Sequence, residues 1–265
     1  MSIYNIHTSC IDKGFYTIKC ISEEDFVALN NAVKHLQKVL YEMNLSLMLN
    51  QSYNQLIAGL NSNIENVDDR FVYWNFHYSN WLSSFYMWTQ FHEYNFNHLF
   101  DRLKGKYYDD YAEYKFSYYL RTYLSHKSFV ITKHSYDCLN NKTAILICPK
   151  ELLETDRENV KNKDKVMLES YISQGQEIDA VELATSLYSA LKLFQKEIWD
   201  GLCADVQESL QLILKNIPMK QPECYNSAID CDENETHISI GHIVTKFIQL
   251  ADKLYPAFAE KLHNY

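Results

Sequence analysis

FVYWNFHYSNWLSSFYMW, residues Phe71–Trp88, decides the fold class. Phe71, Trp74, Tyr78, Trp81, Phe85 and Trp88 fall at alternating steps of three and four, the spacing that lines one face of an α-helix. A half-buried strand would instead alternate every second residue. The period predicts a long helix from about Val67 to Lys104. Its aromatic stripe fits a core or a dimer seam better than a row of base-stacking side chains.

Working outward, KGKYYDD reads as a turn into a third helix over about Asp110–Lys127, which contains KFSYYLRTYLSHK (Lys115–Lys127). Upstream, Ser22 reads as an N-cap, with Glu23, Glu24 and Asp25 in the first turn to suit the helix dipole. Phe26, Leu29, Val33, Leu36, Leu40, Met43 and Leu47 then keep the helical period until Gly59 and a polar run end it. Before Ser22, FYTIKC suggests a strand.

Downstream, SFVITKHS and TAILICPK flank the turn DCLNNK and predict a β-hairpin near 129–148. A charged helix follows from Lys150, then one or two helices over Ile178–Asn216. The organisation expected is a helical bundle with that hairpin over 1–217, whose motif-bearing core spans 67–199. A polar loop follows over 218–236, and a C-terminal helix over 237–265 packs on the bundle. The fold class expected is mainly α.

Composition agrees. Six Gly and four Pro are few for 265 residues, which favours long helices over a many-turned sandwich. A net charge of −9 argues against a protein that coats nucleic acid along its length. Charge is uneven, however: Asp101–Lys133 carries seven basic and four acidic residues, whereas Glu151–Asn216 carries seven basic and thirteen acidic. The seven cysteines are scattered, odd in number and without Cys-x-x-Cys, a pattern of reduced cytosolic thiols. Neither a leader peptide nor a membrane span is expected, and the predicted location is the cytoplasm.

Arg121 and His126 are the candidate chemistry. The chain has only four arginines, so one set in an aromatic helix stands out. A guanidinium stays charged and offers a planar fork to phosphate, while an imidazole exchanges protons near neutrality. Together they provide phosphate stabilisation and proton transfer without a metal. The competing reading is structural, with both side chains bonded to Asp109, Asp110 or Glu113 inside the bundle. Arg70, after two aspartates at a helix start, is expected to make a surface ion pair. His92-Glu93 with His98 is not HExxH, and Cys224, Cys231, His237 and His242 have no recognised ligand spacing, so no metal or cofactor is predicted.

RTYLSH resembles the Arg-x4–6-His motif of HEPN-domain proteins, helical bundles found among prokaryotic toxins and antiviral nucleases. The wider order is similar to a group of bacterial HEPN-like proteins in which a WLSS-like stretch (here Trp81–Ser84) precedes a YxLRNYxQH-like element (here Tyr118–His126). The resemblance covers roughly Val67–Trp199. It implies a homodimer that cleaves RNA without metal, the 2′-hydroxyl attacking the adjacent phosphate. His126 would be the general acid/base and Arg121 the phosphate holder. Thr122, Tyr123, Ser125 and Lys127 would flank the substrate, and an antitoxin or defence partner would accompany the chain. Active members have Asn, Asp or His after the arginine; this chain has Thr122. The alternative is a non-catalytic module that binds nucleotide, RNA or a protein partner, or dimerises.

Overall fold

A computed structural model describes residues 4–10, 14–62, 64, 66–126, 129–137, 142–158, 160–216, 228–231 and 238–262. In chain order the elements are β1 (Tyr4–Cys10), β2 (Gly14–Ile21), α1 (Glu23–Leu60), α2 (Val67–Asn95), α3 (Asn97–Asp110) and α4 (Ala112–His126). Then come β3 (Lys133–Asp137), β4 (Lys142–Ile147), α5 (Pro149–Thr155), α6 (Asn162–Ser173), β5 (Ile178–Asp179) and α7 (Ala180–Asn216). The described chain ends with β6 (Ala228–Cys231), β7 (Ile238–Ser239), α8 (Gly241–Leu254) and α9 (Pro256–Leu262). The protein is mainly α.

Local chemistry explains the boundaries. Ser22 Oγ accepts from the Asp25 backbone N–H at 3.1 Å and donates to the Asp25 carboxylate at 2.9 Å, starting α1 where a cap was expected. Asn66 caps α2 by accepting from Asp68 N–H at 2.9 Å. The single helix expected over 67–104 is two: Phe96, with φ −133° and ψ 38°, breaks it between α2 and α3. The charged helix after the hairpin also splits, into α5 and α6. Gly175 (φ 64°) ends α6, with Gly175 N–H on Ile172 C=O and Gln176 N–H on Tyr171 C=O, a left-handed cap that a Cβ disfavours.

The chain forms two compact units, Met1–Asn44 with Trp199–Tyr265, and Leu45–Ile198. In the first, β1 and β2 pair antiparallel with a bulge at Ile6/His7, inside a four-stranded sheet of order β2-β1-β6-β7. The sequence suggested only the β2 strand of this sheet. Trp199 stacks on Tyr255 at 4.0 Å between centroids, with Phe258 edge-on at 5.0 Å.

In the second unit, the expected hairpin is β3–β4, with its turn residues 138–141 outside the described part. The short strand β5 joins to give the order β3-β4-β5. Trp74, Tyr78, Trp81, Phe85 and Trp88 are buried, so the aromatic stripe of α2 is core of its own chain. Trp88 donates its indole N–H to Ser46 Oγ at 3.1 Å and meets Phe194 edge-to-face at 5.3 Å. Burying such rings is worth about 1.5–3 kcal/mol each before conformational entropy is counted.

Asn75 fixes the path into the hairpin. It is buried on α2, and its amide oxygen accepts from the Val130 and Ile131 N–H groups, each at 2.9 Å. Its amide nitrogen donates to Ile131 C=O at 2.8 Å. Arg121 lies against Tyr86 and residues 130–131 lie against Asn75, so the chain through α4 runs back along α2 in the opposite sense.

Candidate functional site

Helix α4 carries the residues that the sequence singled out. Tyr114, Ser117 and Arg121 sit at steps of three and four on one face, and the first two are fully buried. Helical side chains lean toward their own N-terminus, so Arg121 reaches back over the preceding turn. Its guanidinium carbon lies 3.4 Å from the Tyr86 ring centroid and 5.1 Å from that of Tyr118. Guanidinium planes stack on aromatic faces in this way because the ring quadrupole attracts the charge and the weakly hydrated plane tolerates partial burial.

Among the described residues Arg121 makes no ion pair, so Asp109, Asp110 and Glu113 do not neutralise it. One terminal nitrogen, Nη1, is buried without a hydrogen-bond partner, as are Tyr114 Oη and Ser117 Oγ. Buried polar groups without partners cost free energy. Burial pushes the Tyr114 phenol well above its ordinary value; Tyr118 and Glu93 push the same way, and Arg121 opposes them.

The other candidates scatter. Thr122 is exposed, and its hydroxyl donates to Tyr118 C=O at 3.3 Å. Tyr123 is buried, two residues on from Arg121 and so roughly opposite it on the helix. Burial raises the Tyr123 phenol, a hydrogen bond with Thr155 of α5 lowers it, and Asp156 and Glu151 raise it further. It packs toward α5. His126 is the last residue of α4, and its ring lies outside the described residues, as does the Ser125 side chain. Lys127 lies outside them entirely.

Sequence reasoning missed a neighbouring group. Lys115 and Lys163 place their ammonium groups 5.4 and 4.8 Å from the Tyr108 ring centroid. They line a cleft of about 530 Å³ together with Asp109, Asp110, Val166 and Tyr171. A smaller adjoining cleft shares Tyr108 and Lys163 and extends to Lys104 and Tyr118. Lys104 is paired with Glu93, and the Tyr118 ring that it approaches is the one beneath Arg121. The interleaving of basic and aromatic residues in KGKYYDDYAEYK was the available signal, but only the fold brings Lys163 of α6 to it.

Arg70 departs from expectation. Its Nε donates to Ile64 C=O at 2.9 Å, its Nη2 reaches the same oxygen, and the guanidinium lies 5.7 Å from the Trp74 ring. It closes the turn before α2 by bonding to backbone, and among the described residues it pairs with no acid. His92 is buried, with Nδ1 2.7 Å from Trp88 C=O and its ring stacked on Phe100, while Glu93 is taken by Lys104. Among the described residues no three His, Cys, Asp or Glu side chains are grouped to hold a metal ion. No described helix is long and apolar enough to cross a membrane.

Comparison with protein-family models, with curated proteins and with solved structures finds no match.

Proposed function

We propose that this chain is a metal-independent endoribonuclease of the HEPN toxin or phage-defence kind, cytoplasmic and homodimeric, cleaving RNA with Arg121 and His126. The observation that carries the reading is the state of Arg121. A guanidinium placed over the Tyr86 ring, with no carboxylate paired to it among the described residues, suits contact with an external anion.

In the proposed reaction His126 takes the proton of a ribose 2′-hydroxyl as that oxygen attacks the adjacent phosphorus. The bond from phosphorus to the 5′-oxygen breaks, and the departing oxygen receives a proton. Arg121 stabilises the negative charge that builds on the phosphoryl oxygens. The site is completed by the same pair from a second copy. Ser125 and Lys127 would flank the strand beyond Arg121. Thr122 bonds to its own helix backbone and adds little to phosphate binding. Tyr123 acts by packing. The protein would be expressed beside an antitoxin or defence partner that restrains it. Expression of the wild type is expected to arrest growth, and Arg121→Ala to relieve the arrest at equal protein level. Arrest that persists unchanged in Arg121→Ala would refute the reading.

A second reading has its own observation. Val72, Phe76, Met87 and Tyr94 are exposed by 55, 59, 46 and 89 % and fall on one outer face of α2. Large apolar groups aligned on a helix suit a second copy or a partner helix, so a non-catalytic interaction module would use this face and not the buried stripe. Sedimentation of wild type beside Phe76→Glu tests it. A dimer lost in the variant supports the module or the nuclease dimer; a monomer in both removes the composite site.

A further inference from the structure

Tyr108 of α3 gathers two cations around one ring. The Lys115 ammonium of α4 lies 5.4 Å from the ring centroid, and that of Lys163 of α6 lies 4.8 Å away. The ring quadrupole attracts both charges, and a hydrogen bond from Lys163 to the Tyr108 hydroxyl adds to the hold. Asp164 attracts both ammonium groups, yet among the described residues neither lysine forms an ion pair. An ammonium has three N–H donors, and the Tyr108 hydroxyl takes only one from Lys163.

The cleft that these lysines line encloses about 530 Å³, a size suited to a small-molecule ligand. Apolar surface shares the lining: Val166, 67 % exposed, and Tyr171, whose ring is fixed against Phe116 at 5.4 Å. Asp109 and Asp110 line it as well. Those carboxylates repel a ligand that is anionic throughout, and a bare phosphate would leave the apolar lining wet. A nucleotide answers each surface in turn. Its phosphate accepts from ammonium groups, its base covers apolar side chains, and an exocyclic amino group donates to a carboxylate. We infer that the cleft between α3, α4 and α6 binds one nucleotide, free or as one unit of a single strand, with its phosphate on Lys115 and Lys163 and its base against Val166 and Tyr171. Asp109 or Asp110 then favours adenine, cytosine and guanine over uracil, which has no amino group. The lining includes neither Arg121 nor His126, so the site does not depend on the nuclease reading.

The test measures binding to the full chain by calorimetry at fixed ionic strength. The probes are inorganic phosphate, the adenosine, cytidine, guanosine and uridine 5′-monophosphates, and a short 2′-O-methyl single strand. Methylation blocks the proposed attack by the 2′-hydroxyl, so binding is read apart from cleavage. Lys115→Gln and Lys163→Gln each remove one charge from the cleft. Lys196→Gln removes the same charge from an exposed position on α7 outside the lining. Wild type is expected to bind at least one monophosphate more tightly than inorganic phosphate, with uridine monophosphate the weakest of the set. Each cleft variant should weaken that binding by about fivefold or more, and Lys196→Gln by less than about twofold. A strand that binds more tightly than every monophosphate, and loses affinity in both cleft variants, assigns the site to a unit of a strand; otherwise the occupant is a free nucleotide. No binding of any monophosphate, monophosphates no tighter than inorganic phosphate, or equal losses in all three variants would overturn the site. RNA cleavage by a protein that fails these tests would leave the nuclease reading intact and remove only the nucleotide cleft.

Discussion

Arg121 and Tyr86 form a stacked pair between α4 and α2, with 3.4 Å from the guanidinium carbon to the ring centroid. The pair accounts for an arginine in an aromatic helix that, among the described residues, makes no ion pair. If the ring quadrupole holds the charge, Tyr86→Phe keeps the stack and Tyr86→Leu loses it. Urea unfolding should show a loss of about 1 kcal/mol for Tyr86→Leu and little for Tyr86→Phe. Equal losses in both would assign the effect to the Tyr86 hydroxyl.

Asn75 predicts a larger effect. Replacing it by Leu leaves the Val130 and Ile131 N–H groups and the Ile131 C=O buried without partners. Each unmade bond costs roughly 1–3 kcal/mol, so Asn75→Leu should lower stability by about 3 kcal/mol or more. The segment after α4 should also exchange its amide hydrogens faster, which hydrogen exchange would read directly.

Gly59 and His77 form a close approach between α1 and α2. A Cβ on Gly59 would stand 2.5 Å from His77 Cδ2, and the His77 ring is itself packed on Tyr73 at 4.5 Å and on Phe76 at 5.4 Å. Gly59→Ala should therefore destabilise by about 1–3 kcal/mol despite the better helix propensity of alanine. In the double variant with His77→Ala the loss should shrink, a coupling that a double-mutant cycle measures.

Much of this was legible in the sequence, for definite physical reasons. The three-four spacing of Phe71–Trp88 gave the buried face of α2, Ser22 gave the start of α1, and the alternating runs around residues 138–141 gave the hairpin. Gly59 marked the end of the first helix, and α1 does end at Leu60, but the close approach of His77 to Gly59 is a contact across elements that no local pattern encodes. Phe96 carries no breaker chemistry, so the division of α2 from α3 was hidden. β5, two residues long, exists only because β4 offers it an edge. At the site, the pairing of Arg121 with Tyr86 and the approach of Lys163 to Tyr108 both join residues more than thirty positions apart, and spacing rules are blind at that range.

His35 gives a pH dependence in the other unit. Its Nδ1 lies 3.0 Å from Ser209 Oγ, and burial holds the imidazole below its ordinary value of 6.5, with Asp205 opposing and Lys38 adding. Just below pH 6.5 the unfolded chain then binds more protons than the folded one. This contribution is complete above that pH and is lost as pH falls through the folded-state value. Thermal midpoints from about pH 7.5 to about pH 5 should fall less steeply in His35→Gln than in wild type. Parallel curves would show that His35 titrates alike in both states.

The central claim is most directly tested by incubating purified protein with transfer RNA and with a single-stranded RNA in EDTA, wild type beside Arg121→Ala and His126→Ala. Cleavage by wild type, reduced in each variant by about 10²-fold or more as expected for loss of a positioned acid/base or charge stabiliser, is the predicted result. Intact RNA with a folded, dimeric wild-type protein, or cleavage that both variants retain, would contradict it.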